Sequence, residues 1–289
     1  MKPCILVLAN PTTTAELAAR YAAVLGAPLQ AGVALLHLYH DPVLDPDLVT
    51  VTAPFAYRNQ AETAAAMHTL AQRLLATTEV VVSAQPLPEA VEAAVRRHRP
   101  LLLAMGLNPE HDVLDHFLHN QALPALRATH RPLLLVPAAA PVPRVPRRVL
   151  LAVDAEPFVP NAAALALAPL LAAWQAEHTV VHITRAGERQ AFPVQRALGQ
   201  VHLSGLLPPA TPLELYEAPG LDPTAGLLQA LHDTRADLLV LIARPRSFLS
   251  RLFHRSVTAR VLDQGRGRVP VLLLPAEAPE QPGWMPALS

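Results

Sequence analysis

The sequence predicts an α/β protein made of two tandem, doubly wound, five-stranded parallel-sheet domains. Three observations predict it. Short apolar runs alternate with alanine-rich helical stretches along all 289 residues. The runs are nearly continuous in Leu and Val, as strands buried on both faces read, so helices must cover both faces. The same plan occurs twice, on either side of the Pro/Ala cluster "PAAAPVPRVP" at 137–146, which has no periodicity and reads as an extended linker.

In the first half the expected strands are 4–9, 32–38, 79–84, 101–105 and 132–136. Helices are expected over 13–26, 57–77, 87–98 and 112–128. In the second half the strands are 148–153, 179–183, 212–217, 237–242 and 269–274. Its helices are 159–174, 188–203, 222–235 and 249–263. Pro193 interrupts the second of these stretches, 188–203, and Pro169 should bend 159–174. The halves open alike, with "CILVLAN" and "RVLLAVD", and close alike, with "HRPLLLVP" and "RVPVLLLP". This internal repeat sets the expected division: domain one over 1–137, a linker over 138–146, domain two over 147–276 and a tail over 277–289.

Composition narrows the function classes. Hydrophobic residues make up 52% and charged residues 16%, which argues against disorder. Twenty-three basic residues balance 23 acidic ones, so no net field steers the chain toward nucleic acid. The single cysteine, Cys4, cannot form a disulfide within the chain and reads as a small buried hydrophobe. The opening "MKPCILVLAN" shows no export signal. The longest apolar run, 162–174, is shorter than the ~18 residues of a membrane span. A soluble cytoplasmic protein, with neither membrane nor nucleic acid as partner, is the expectation.

Ligands on open parallel sheets bind beyond the carboxyl ends of the strands. Two kinds of position qualify. One is the end of each half's first strand, Asn10 and Asp154. A carboxylate at 154 can accept from ligand hydroxyls or an amine, or can cap a turn or helix. Asn10 precedes Pro11, and the threonines that follow can cap the first helix. The other position is the loop and helix after the fourth strand, 106–120 and 242–256. The second of these segments leads a basic cluster of Arg244, Arg246, Arg251, Arg255 and Arg260, in which 251 and 255 share a helix face. Arginine forks suit phosphate, and a solvated helix face gives the same pattern. Ser256 reads as a hydroxyl donor to phosphate or as an ordinary helix residue.

Catalytic and metal signals are weak. There is no P-loop, GxSxG or GxGxxG, and no nucleophile–base set, so no catalytic residue is assigned. His111, Asp115 and His119 share one expected helix face, but a zinc site needs a further ligand, so no metal site is assigned. His37 and Asp41, in "HLYHD", end the second strand and fit either a ligand edge or a plain strand terminus.

On these residues the chain resembles the universal stress protein family, as a tandem two-domain member, over nearly its whole length. The resemblance implies the adenine nucleotide alpha hydrolase-like fold with strand order 3-2-1-4-5. It also implies an aspartate at the end of strand one, which Asp154 retains and Asn10 replaces. Nucleotide-binding members carry a Gly, two residues, a Gly, nine residues, then Gly and Ser or Thr, starting at the end of strand four. In the second domain these positions are Ile242, Pro245, Arg255 and Ser256; in the first they are Gly106, Pro109, His119 and Asn120. Glycines admit backbone to phosphates, and proline removes a donor. The motif is therefore degenerate in both domains.

The resemblance implies a non-catalytic stress-response protein without a conventional ATP site or other cofactor, acting through protein contacts or small-ligand sensing. The rival reading is a nucleotide- or phosphate-binding module with an altered site in domain two, where Asp154, Arg244, Arg255 and Ser256 would hold ATP or another adenine nucleotide. Asn10, Gly106 and Asn120 are the matching candidates in domain one. A pocket plugged by Ile242 favours the first reading. A carboxylate and arginines converging on one crevice favour the second. The resemblance also implies that the final strands, 132–136 and 269–274, approach each other in an intramolecular pseudo-dimer, with a homodimer and unidentified proteins as further partners.

Overall fold

A computed structural model describes residues 2–9, 12–38, 49–107, 125, 128–153, 157–183, 193–217, 222–243 and 268–277. The first half runs β1 (Cys4–Leu8), α1 (Thr13–Gly26), a 3-10 turn (Ala27–Leu29), β2 (Gly32–Leu38), α2 (Val49–Arg73), β3 (Thr78–Ser83), α3 (Leu87–His98), β4 (Leu102–Leu107) and β5 (Leu133–Pro137). The second runs β6 (Arg148–Ala152), β7 (Val159–Pro160), α4 (Ala162–Leu165), α5 (Ala168–Ala173), β8 (Glu177–His182), α6 (Pro193–Leu203), β9 (Leu213–Glu217), α7 (Pro223–Thr234), β10 (Leu238–Ala243) and β11 (Val271–Glu277).

Each half is a parallel five-stranded sheet in the order 3-2-1-4-5: β3-β2-β1-β4-β5 in the first and β9-β8-β6-β10-β11 in the second. The two sheets are one. β5 and β11 lie side by side and antiparallel, with Leu133, Leu134 and Leu135 opposite Leu273, Leu272 and Val271. Each of these six residues is at most 1% exposed, because both strands are central in the joined sheet. The sheet ends are different. β3 and β9 are half-exposed strands with charged or polar residues, as suits unpaired edges. Glu79 on β3 meets Arg97 at 2.6 Å.

Helices cover both faces. Leu25 of α1, Leu70 of α2, Leu170 of α5 and Val201 of α6 pack into one apolar layer. Val91 of α3 and Leu227 of α7 pack into the other. Both layers run across the seam, since each holds residues of β5 and β11.

The observed strands lie at the expected places, and α1 and α3 match their expected spans. Two expectations need correction. The helix expected over 159–174 is broken: Val159–Pro160 pairs antiparallel with Ala276–Glu277 of β11, and two short helices follow, with Pro169 in the first turn of the second. A missing N–H at that position costs nothing. Cys4 is only partly buried, because it is the first residue of its strand; burial still pushes its thiol pKa up. Of the helix expected over 112–128 only Ala125 and Ala128 are described, and 249–263 lies outside the described residues.

Side chains reach across the seam as well. Trp174 donates its indole N–H to the Leu25 carbonyl, 3.0 Å away, at the end of α1. A helix's last carbonyls have no partner of their own, so the second half satisfies one that the first leaves open. Asn161 caps α4 through its side-chain oxygen and donates its amide to the His130 carbonyl at 2.9 Å. Trp174→Phe should keep the packing but orphan the buried carbonyl. The expected loss is about 1–3 kcal/mol, read as a lower urea midpoint.

The repeat also differs at one core position. Val33 opens the β2–β3 ladder and His178 opens the β8–β9 ladder. His178 is 4% exposed, and neither ring nitrogen has a hydrogen-bond partner among the described residues. Burial pushes its pKa down, with the Ala176 backbone opposing. The folded protein therefore disfavours the charged ring relative to the unfolded chain, which protonates near pH ~6.5. Stability should be intact above that value and fall as pH drops through the depressed folded pKa. His178→Val should remove this part of the acid sensitivity, seen as a flatter urea midpoint between about pH 7.5 and about pH 5.

Candidate functional site

The carboxyl ends of the parallel strands form the edge where ligands bind in such sheets. In the first half, Thr12 caps α1 and accepts from the Ala15 N–H at 3.2 Å, so the threonine run does start that helix. The helix after β6 takes its cap from Asn161 instead.

Gly106 and Ile242, the two described positions of the glycine pattern expected from sequence, occupy equivalent places. Gly106 is opposite Val136 in the β4–β5 ladder, and Ile242 is opposite Leu274 in the β10–β11 ladder; each is the fourth pair of its ladder, counted from Leu103 and Leu239. Gly106 backs directly onto the first turn of α1. A Cβ there would lie 2.8 Å from Thr14 Cβ and closer still to the Thr14 carbonyl. Close helix–strand approach therefore accounts for this glycine without a ligand. Ile242 is 4% exposed and belongs to the apolar layer that also holds Val240, Leu272 and Leu274. Its side chain fills space that a glycine would leave open.

Asn10, Asp154, Pro109, His119, Asn120, Arg244, Pro245, Arg255 and Ser256 lie outside the described residues, as do Arg246, Arg251, Arg260, His111, Asp115 and Asp41. Of the sequence-selected site residues the structure thus places Gly106 and Ile242, one per half. Among the described residues no group of three or more His, Cys, Asp or Glu is arranged to hold a metal ion, and no helix is long and apolar enough to cross a membrane.

The same edge carries a feature that sequence reasoning half missed. His37 is 7% exposed, and its Nδ1 lies 3.1 Å from the Ala9 carbonyl, just before Asn10. His182 is 3% exposed, and its Nδ1 lies 3.3 Å from the Val153 carbonyl, just before Asp154. Both occupy the fifth pair of their ladders, opposite Val82 and Glu217. A carbonyl can only accept, so each Nδ1 carries the proton, and each ring ties the end of strand two to the end of strand one. The signal was present as "LLHL" in one half and "VVHI" in the other, visible once the halves are superposed.

Two joined 3-2-1-4-5 sheets with this ligand edge define a universal-stress-protein-like fold. No protein-family model and no curated protein matches the chain. Three solved structures are similar over nearly all of it. One is a universal stress protein from Archaeoglobus fulgidus: 14% identity, 94% of this chain and 96% of that one covered, TM-score 0.58. A putative universal stress protein from Pseudomonas aeruginosa has 14% identity, coverage of 94% and 93%, and a TM-score of 0.52. A functionally unknown protein from the same species has 13% identity, coverage of 95% and 92%, and a TM-score of 0.52.

The contrast between packed and open glycines is testable. Gly106→Ala should destabilise by about 1–3 kcal/mol through overpacking against α1. Gly199→Ala in α6, where an added Cβ meets nothing within 4 Å, should stabilise by about 0.5–1 kcal/mol. Opposite shifts of the denaturation midpoint are the expected result.

Proposed function

We propose that this chain is a non-catalytic protein of the universal stress type that works through protein contacts or small-ligand sensing and has lost the conventional ATP site. The reading takes 1–137 and 147–276 as two domains joined through 138–146 and packed as an intramolecular pseudo-dimer. A cytoplasmic setting is part of it, in keeping with the single cysteine.

Ile242 carries the proposal. A phosphate cradle needs backbone that a ligand can approach closely, which glycine permits and a branched side chain prevents. At the position where the motif requires its first glycine, the second half has a buried isoleucine that is part of its apolar layer. The glycine retained in the first half, Gly106, has a packing role and so gives no support to a phosphate role. Pro109 and Pro245 at the motif's next position add to this, since each removes an N–H donor.

The test is native mass spectrometry of freshly purified protein, followed by calorimetric titration with ATP, ADP and AMP. No co-purifying nucleotide is expected, and no nucleotide binding that an Asp154→Asn or Ser256→Ala variant weakens. A co-purifying adenine nucleotide, or a dissociation constant in the low micromolar range, that is lost in either variant would overturn the proposal in favour of an altered nucleotide site in domain two.

A further inference from the structure

The opposite edge of the second half, where its strands begin, holds a cleft of about 230 Å³ crowded with arginines. Four arginines line it, from four separate segments. Arg144 comes from the stretch between the halves, Arg148 opens β6, Arg235 follows α7 with φ at 49°, and Arg268 precedes β11. Tyr21 of α1 adds an aromatic wall from the first half.

Among the described residues lining the cleft, one carries a carboxylate, Asp237. Asp237 accepts from the Arg144 guanidinium and from the backbone N–H groups of Arg147 and Arg148, at 2.9 and 3.0 Å. Burial works to raise its pKa, but these hydrogen bonds outweigh burial and keep the carboxyl below its ordinary value. Its oxygens are thus already engaged. Tyr21 supplies no negative charge: burial pushes its pKa up to about 12, and its hydroxyl donates to the Pro141 carbonyl at 2.8 Å. Glu177 lies opposite Arg148 in the β6–β8 ladder but forms no ion pair with it. Arg148, Arg235 and Arg268 have no carboxylate within ion-pair distance among the described residues.

Three arginines without a carboxylate partner among the described residues line one concavity, and an anion between them would relieve their mutual repulsion. The carbonyl end of α7 accounts for Arg235 alone, since a cation is favoured there. It does not account for Arg148 and Arg268 beside it. Guanidinium forks match phosphate oxygens in pairs. The cleft is smaller than the ~300 Å³ at which sites for larger organic ligands begin. We propose that this cleft binds a small polyvalent phosphate anion, as pyrophosphate or as the phosphate end of a larger molecule, through Arg148, Arg235 and Arg268. The site lies at the end of the sheet away from the glycine motif, so it is independent of the function proposed above.

The experiment is calorimetric titration of the full chain with pyrophosphate, orthophosphate and adenosine monophosphate, in chloride buffer, with sulfate as comparator. Pyrophosphate should bind one to one and more tightly than sulfate. An Arg235→Ala/Arg268→Ala variant, altered at two exposed side chains, should bind it at least tenfold more weakly while keeping its circular dichroism spectrum. An Arg244→Ala/Arg255→Ala variant should bind as the parent does. Orthophosphate and adenosine monophosphate separate the free anion from a phosphate carried on a larger ligand, the stronger binder naming the source. Absence of pyrophosphate binding, equal binding of sulfate, or loss in the Arg244/Arg255 variant instead would each overturn the proposal.

Discussion

The antiparallel contact between β5 and β11 is the constraint on which the rest of the structure depends. Each strand is the last of its own five, and each carries a run of four buried Leu and Val residues, 133–136 and 271–274. Such a strand cannot stand at an edge. Its backbone donors and acceptors would lack partners in an apolar setting, and its flat apolar rim would invite another chain. Pairing the two strands solves both problems at once. It also lets the apolar layers above and below continue without a break, and it brings α1 close enough to α5 for Trp174 to reach the Leu25 carbonyl.

With the sheet fixed in this way, the carboxyl-end edges of the two halves differ for local reasons. In the first, α1 starts immediately after β1 and packs onto β4 so closely that only glycine fits at 106. In the second, the chain first lays Val159–Pro160 against the end of β11 and starts its helix later. At the matching position of the second half Ile242 is a buried core residue. The histidines at 37 and 182 are common to both halves, each binding backbone of a neighbouring strand in its own half.

Much of this fold was legible in the sequence. Buried parallel strands read as unbroken Leu/Val runs whatever surrounds them, and the repeat exposed the tandem plan. The β7 pairing was not legible, because a two-residue strand exists only through Ala276 and Glu277, far along the chain. At the site, the isoleucine at 242 could be read directly. The reason for keeping Gly106 could not, since it depends on Thr14 from a distant segment. His182 required the two halves to be superposed. The arginine cleft left no local trace at all: 144, 148, 235 and 268 share no motif, and only the topology brings them together.

The stretch between the halves has a consequence of its own. It turns after β5, is held by Tyr21 at Pro141 and by Asp237 at Arg144, and delivers the chain into β6. Because it tethers the two five-stranded sheets, their meeting is a unimolecular event. A short tether holds its ends at an effective concentration of about millimolar, well above what two free chains would offer each other in dilute solution. The seam should therefore close at any dilution, and each sheet can depend on a neighbour that is never absent. Side chains at the join can then diverge between the halves, as Trp174 and Asn161 have, without having to match a copy of themselves across a symmetry axis.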